Sequence, residues 1–133
     1  MKTLSLIFGL ILVTGLGNRA LTQNPDAVFQ KVTTSIQAGD AVGLSSVFNA
    51  SVELTVPGVT DGAYASKQAQ FVLRDFFANH PVSSFRILTK GNTNNTFYAV
   101  GTYVSSKGTF DANIFVRNMG GSFVVTQIRF EVE

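Results

Sequence analysis

The sequence predicts an α+β domain in which N-terminal helices pack on one face of an antiparallel sheet. Three observations predict it. Apolar residues recur at helical spacing in two stretches, from Val28 to Phe48 and from Ala69 to Phe77. After Pro81 the period changes to two. The segments between the later β runs are short and turn-rich, as hairpins require. Helices that precede such a meander must cover one of its faces.

The first residues stand apart from that domain. Lys2 is followed by a nearly continuous apolar run, Leu4 to Leu16, and by the small residues Gly15, Gly17 and Ala20. The run falls short of the about 20 residues a bilayer span needs. This is the layout of a secretory signal peptide. Residues 1–20 are therefore expected to be a signal peptide, cut after Gly17 or Ala20, and 21–133 a single domain. An uncleaved anchor or a buried first helix is the alternative use of the same run. The expected location is periplasmic or secreted, with no membrane span left after cleavage.

Within 21–133, Asn24-Pro25-Asp26 reads as a helix start: a cap, a first-turn proline and a carboxylate that complements the helix dipole. Val28, Phe29, Val32 and Ile36 form the apolar stripe, and Gly39 ends the helix. Asp40 caps a second, short helix with Leu44, Val47 and Phe48 on one face. Val52 to Leu54 begins a short strand. PGVTDGAY reads as a loop, with turn signals at Pro57-Gly58 and Asp61-Gly62. Ser66 is expected to cap a third helix carrying Ala69, Val72, Leu73, Phe76 and Phe77 on one side, with Pro81 past its end.

Four β segments complete the chain, at about 84–90, 96–105, 109–117 and 123–132. By alternation, Phe110, Ala112, Ile114 and Val116 share the helix-covered face of the third. Asp111, Asn113, Phe115 and Arg117 face away. In the last segment alternation assigns Val124, Ile128 and Phe130 to the inner face, and Phe123, Val125, Gln127, Arg129 and Glu131 to the outer one.

Composition excludes several functions. The chain has 10 Lys+Arg against 8 Asp+Glu, and loss of residues 1–20 removes Lys2 and Arg19, leaving 8 against 8. No basic cluster remains to neutralise a run of phosphates, so nucleic acid is not an expected partner. The absence of cysteine removes disulfides, thiolate catalysis and zinc–thiolate sites. Packing alone must hold the domain, and eleven of the twelve Phe lie beyond the leader to supply it.

The segments GDAVGLSSVFNASVEL and YASKQAQFVLRDFF, the Lys90-Gly91 turn and the final meander together carry a resemblance. Their order and spacing resemble the cone-shaped α+β fold of the nuclear transport factor 2-like (cystatin-like) superfamily. Within it, the chain is similar to an uncharacterised family of small exported bacterial proteins, a domain of unknown function. The resemblance implies a curved sheet wrapped around a long helix, with a pocket at the open end of the cone. It implies no activity.

Enzymes of that superfamily use the pocket with a general base, often Asp or His, and donors such as Tyr. This chain is poor in such parts. His80, its only histidine, reads as a helix cap or a solvated loop residue. Asp111 points out of the cone by alternation, and pairing with a neighbouring-strand arginine such as Arg129 is expected. No carboxylate pair, phosphate loop or metal-ligand cluster is present, so no catalytic residue, metal or cofactor is assigned. The candidate ligand-binding residues are a polar rim at the cone mouth: Tyr64, Ser66, Lys67, Lys90, Tyr98 and Tyr103. The sequence thus favours a non-catalytic envelope domain that binds a small apolar ligand or a partner. The alternative is an isomerase or lyase acting on an apolar small molecule in the cone. Phe115, Phe123 and Val125 also suggest a homodimer through the outer sheet face.

Overall fold

The structure, a computed structural model, describes residues 24–133. The expected signal peptide and its cleavage sites lie outside the described residues. Helix α1 spans Pro25–Gln37 and begins as its sequence dictates, with the Asn24 side chain accepting from the Asp26 N–H at 2.7 Å. Gly39 takes φ +64°, a left-handed conformation glycine adopts without Cβ strain. Asp40 then caps α2 (Ala41–Ser45) by accepting from the Gly43 N–H at 2.9 Å. Helix α3 (Ser66–Asn79) buries Ala69, Leu73, Phe76 and Phe77. Its cap differs from the expected one. Ala65 occupies the N-cap position without a side-chain bond, and Ser66 is already inside the helix, its hydroxyl 3.5 Å from the Ser45 carbonyl.

The strands are β1 (Phe48–Val56), β2 (Thr60–Ala65), β3 (Val82–Thr93), β4 (Thr96–Ser105), β5 (Gly108–Met119) and β6 (Ser122–Val132). They form one curved sheet in the order β2-β1-β6-β5-β4-β3. Helices on a curved sheet are what the sequence predicts, but three details differ. The sheet is mixed, because β1 runs parallel to β6 while every other pair is antiparallel. Thr60–Ala65, read as loop, is an edge strand that hairpins onto β1. Strand β3 runs through Lys90-Gly91 to Thr93, so the turn lies at Asn94-Asn95, where Asn94 takes φ +54°.

A bulge corrects the facing of β6. Val116 pairs with Val125 but Phe115 pairs with Gln127, leaving Thr126 as an extra residue. An extra residue inverts alternation upstream of it. Val125 is therefore buried on the inner face, and Phe123 joins it there, in edge contact with Phe97 at 5.7 Å. Val124, opposite Arg117, moves to the outer face.

The inner face of the sheet and α3 enclose an aromatic core. Phe76 stacks on Phe130 at 4.6 Å and lies 5.3 Å from both Tyr103 and Phe110. Phe77 stacks on Tyr103 at 6.1 Å. Gly101 makes room for this layer: a Cβ there would lie 2.6 Å from the Arg86 carbonyl oxygen and against the Phe85 ring.

Candidate functional site

Among the described residues, aromatic side chains gather on the inner face of the sheet. Tyr103 and Phe130 are fully buried, and Phe76 and Phe110 nearly so, in one ring-to-ring cluster. Tyr103 donates its hydroxyl to the backbone carbonyl of His80. Burial pushes the Tyr103 phenol up to about 12, so it stays a neutral donor. Among the described residues, Ser35 and Ser105 are the buried polar ones apart from that phenol, and no carboxylate or imidazole joins them.

His80 is the C-cap of α3, as one of the two expectations for it had it. Its Nδ1 lies 3.2 Å from the Phe76 carbonyl, and its ring stacks on Phe76 at 4.8 Å and meets Phe110 edge-on at 5.2 Å. Asp111 is on the outer face, but its expected partner is engaged elsewhere. Arg129 binds Glu131 of its own strand at 2.8 Å. Asp111 instead faces Glu131 across the ladder and sits beside Glu133. A hydrogen bond to Asp111, then burial and like-charge repulsion, raises the Glu133 carboxyl above the ordinary range.

The six rim candidates are distributed over several parts of the surface and core. Tyr64 lies on β2, its hydroxyl paired with that of Thr60. Ser66 and Lys67 open α3 nearby, with the Lys67 amine 6.0 Å from the Phe71 ring centroid. Tyr103 is in the core. Tyr98 is on the outer face, its ring filling the space a Cβ on Gly91 would take. Lys90 is at the opposite edge from Tyr64, because β2 and β3 are the two ends of the sheet. Only Tyr64, Ser66 and Lys67 are neighbours.

Two of the surface clefts lined by described residues accompany them. The first, about 580 Å³, lies between α1 and β3 and is lined by Asp26, Gln30, Thr33, Arg86, Ile87 and Lys90, among others. In it the Lys90 amine meets Asp26 at 3.3 Å and lies 5.9 Å from the Phe29 ring centroid. The second, about 380 Å³, lies where the β3–β4 and β5–β6 turns meet, with Phe97 and Phe123 beside Arg117 and Asn118. Sequence reasoning missed it because alternation assigned Phe123 to the wrong face.

The outer face of the sheet carries a half-buried apolar row, Tyr98, Val100, Val104, Phe115 and Val124, among Thr102, Asn113, Gln127 and Arg129. Among the described residues no group of His, Asp and Glu is arranged to hold a metal ion. None of their helices is long and apolar enough to cross a membrane.

Comparison with known proteins supports this architecture. A DUF4783 protein from Bacteroides ovatus has 23% identity and a TM-score of 0.72, over 77% of this chain and 93% of that one. A DUF4783 protein from Bacteroides uniformis has 23% identity and a TM-score of 0.73, over 78% and 95%. A protein of the NTF2-like family from Streptomyces avermitilis, described as a candidate dehydratase, has 12% identity and a TM-score of 0.57, over 80% and 91%. No curated protein matches the chain. At these identities the solved structures establish the fold alone. Residues 29–131 match the profile of a domain of unknown function, and with the bulged mixed sheet and the helices it describes, the chain belongs to the DUF4783 family.

Proposed function

We propose that the protein is an exported, non-catalytic partner-binding domain of the bacterial envelope, and that its partner is a second copy docked on the outer face of the sheet. The observation that carries this reading is the filled interior. Phe76, Tyr103, Phe110 and Phe130 occupy the space a small apolar ligand would need. Binding is thereby left to the surface.

The outer face suits a modest interface, because its apolar row is set among hydrogen-bonding side chains. Its charges are also asymmetric. Asp111, Glu131 and Glu133 lie at one end of the β5–β6 ladder and Arg117 at the other. Two copies packed with strands opposed would set each Arg117 towards the partner's acidic end, a complementary arrangement. The isomerase or lyase reading needs a base inside the cone; no described Asp or Glu is buried there, and His80, whose ring packs on Phe76 and Phe110, is engaged as the C-cap of α3 with its Nδ1 on the Phe76 carbonyl. Export is supported by Lys2, the Leu4–Leu16 run and the small residues after it.

Sedimentation velocity across a concentration series tests the central claim. A dimer is expected for residues 21–133, and Phe115→Asp should leave a folded monomer. A monomer at high concentration would overturn the reading, as would native mass spectrometry that finds a small molecule held in the core. Fractionation of the full-length chain tests export: a shortened product in the periplasm or medium is expected, and an uncleaved cytoplasmic chain would refute it.

A further inference from the structure

The second cleft lies at the surface, between the tips of two neighbouring hairpins. Its aromatic part comes from the inner face of the sheet. Phe97 is opposite the buried Val116, and Phe123 is opposite Asn118, so Phe97, Asn118 and Phe123 share that face. The bulge at Thr126 is what brings Phe123 there. Plain alternation would turn it to the outer face, and bulges recur where a side chain is re-aimed at a site. The two rings meet edge to face, 5.7 Å apart at 78°, and both stay half-exposed.

Amides supply most of the polar lining. The Asn118 Oδ1 accepts from the Gly121 N–H at 2.9 Å, which fixes the side chain on its own turn. Its Nδ2 keeps two donors that this bond does not use. Asn94 and Asn95 stand exposed on the neighbouring turn and line the same cleft. Each amide offers a donor and an acceptor in one planar group. Arg117 is the one charged residue among the described lining, and it lies opposite Thr96 and Val124 on the outer face. An ionic ligand therefore meets no counter-charge on the aromatic side of the cleft.

These groups match one class of ligand. A pyranose ring has an apolar C–H face that an aromatic ring can cover. Each of its hydroxyls both donates and accepts, and two adjacent hydroxyls can engage one side-chain amide. The cleft, about 380 Å³, is near the small end of ligand sites, which run from about 300 to 1,000 Å³. We infer that the cleft between the β3–β4 and β5–β6 turns binds a single neutral hexopyranose ring. Phe97 and Phe123 take its C–H face, and Asn94, Asn95 and Asn118 take its hydroxyls. A planar base fits less well, because rings set at 78° form no parallel slot for it. None of these five residues belongs to the apolar row of the outer face, so the test stands whether or not the protein dimerises.

Amide chemical-shift titration of the protein with the methyl glycosides of glucose, galactose, mannose and N-acetylglucosamine tests the inference. At least one should bind with a Kd between about 1 and 30 mM. The shifts should cluster at Asn94, Asn95, Asn118 and Phe123. The free sugars, titrated alongside, separate the two sources of such a ring: tighter glycoside binding assigns the end of a glycan, and tighter free-sugar binding a monosaccharide. Phe123→Leu keeps an apolar side chain for the fold and removes the ring, and should weaken binding at least about fivefold. Asn95→Ala, at an exposed position, should weaken it at least about threefold. Phe115→Asp, on the outer face, should change it by less than about twofold. No shift from any of these sugars at about 100 mM would overturn the proposal. So would shifts on the outer face instead, adenosine binding as tightly as the best sugar, or two cleft variants that bind like the native protein.

Discussion

The two faces of the β4–β5–β6 ladder share a backbone and differ in nearly everything else. On the inner face, Ala99, Tyr103, Phe110, Ala112, Ile114, Ile128 and Phe130 are all buried. On the outer face, Tyr98, Val100, Thr102, Asn113, Phe115 and Gln127 are all half-exposed. Among the described residues, the inner face closes the domain, with Phe76, Tyr103, Phe110 and Phe130 packed ring against ring. The outer face and the sheet edges retain unsatisfied surface and are the places where recognition has room.

That division predicts its largest effect at the centre of the aromatic cluster. Phe76 touches Phe77, Tyr103, Phe110 and Phe130. Phe76→Ala should cost about 3–5 kcal/mol in urea denaturation, through lost burial and the cavity left behind. A loss below about 1 kcal/mol would mean that the interior collapses freely and is not close-packed.

The sharpest separation of the faces comes from adjacent residues of β6. Val125→Thr buries a hydroxyl on the inner face and should cost about 1–3 kcal/mol. Val124→Thr, on the outer face, should change stability by no more than about 0.5 kcal/mol. The reverse order would restore simple alternation and remove the bulge at Thr126.

Tyr103 gives the comparison a pH dependence. Its phenol is raised from 10.0 to about 12 by burial, so the folded state holds the proton more tightly than the unfolded chain. The stabilisation is fully present below pH 10 and is lost as pH rises towards 12. Urea midpoints for the native protein should fall across that window, and Tyr103→Phe should flatten the part due to this phenol. At pH 7 the same variant should lose about 0.5–1.5 kcal/mol with the bond to the His80 carbonyl. An unchanged alkaline profile would show that solvent reaches the ring.

The helices and their ends were legible because their signals are local. Asn24, Gly39 and Asp40 act within a few residues of themselves, and each adopts the role its chemistry suggests. The meander was legible from its period and short turns. What escaped is set by partners distant in sequence. Thr60–Ala65 has few apolar residues and becomes a strand only because β1 pairs with it. The direction of β1 against β6 depends on how the helices return the chain to the sheet. Thr126 carries no mark of a bulge, yet it reverses the facing of Phe123, Val124 and Val125. The rim candidates failed to assemble for the same reason. Tyr98 and Tyr103 were correctly placed on opposite faces, but the strand order that puts Tyr64 and Lys90 at opposite edges is not written in either residue.

The smallest effect belongs to the rim, where the two faces meet solvent. Lys90 and Asp26 are 3.3 Å apart, with 47% and 76% of their side chains exposed. An ion pair so hydrated contributes about 0–1 kcal/mol, and salt screens it. Lys90→Met keeps the apolar stem over Phe29 and removes the charge. Its cost in low salt should stay under about 1 kcal/mol and vanish near 1 M salt. A larger, salt-independent loss would mean that α1 is held to β3 as rigidly as α3 is held in the core.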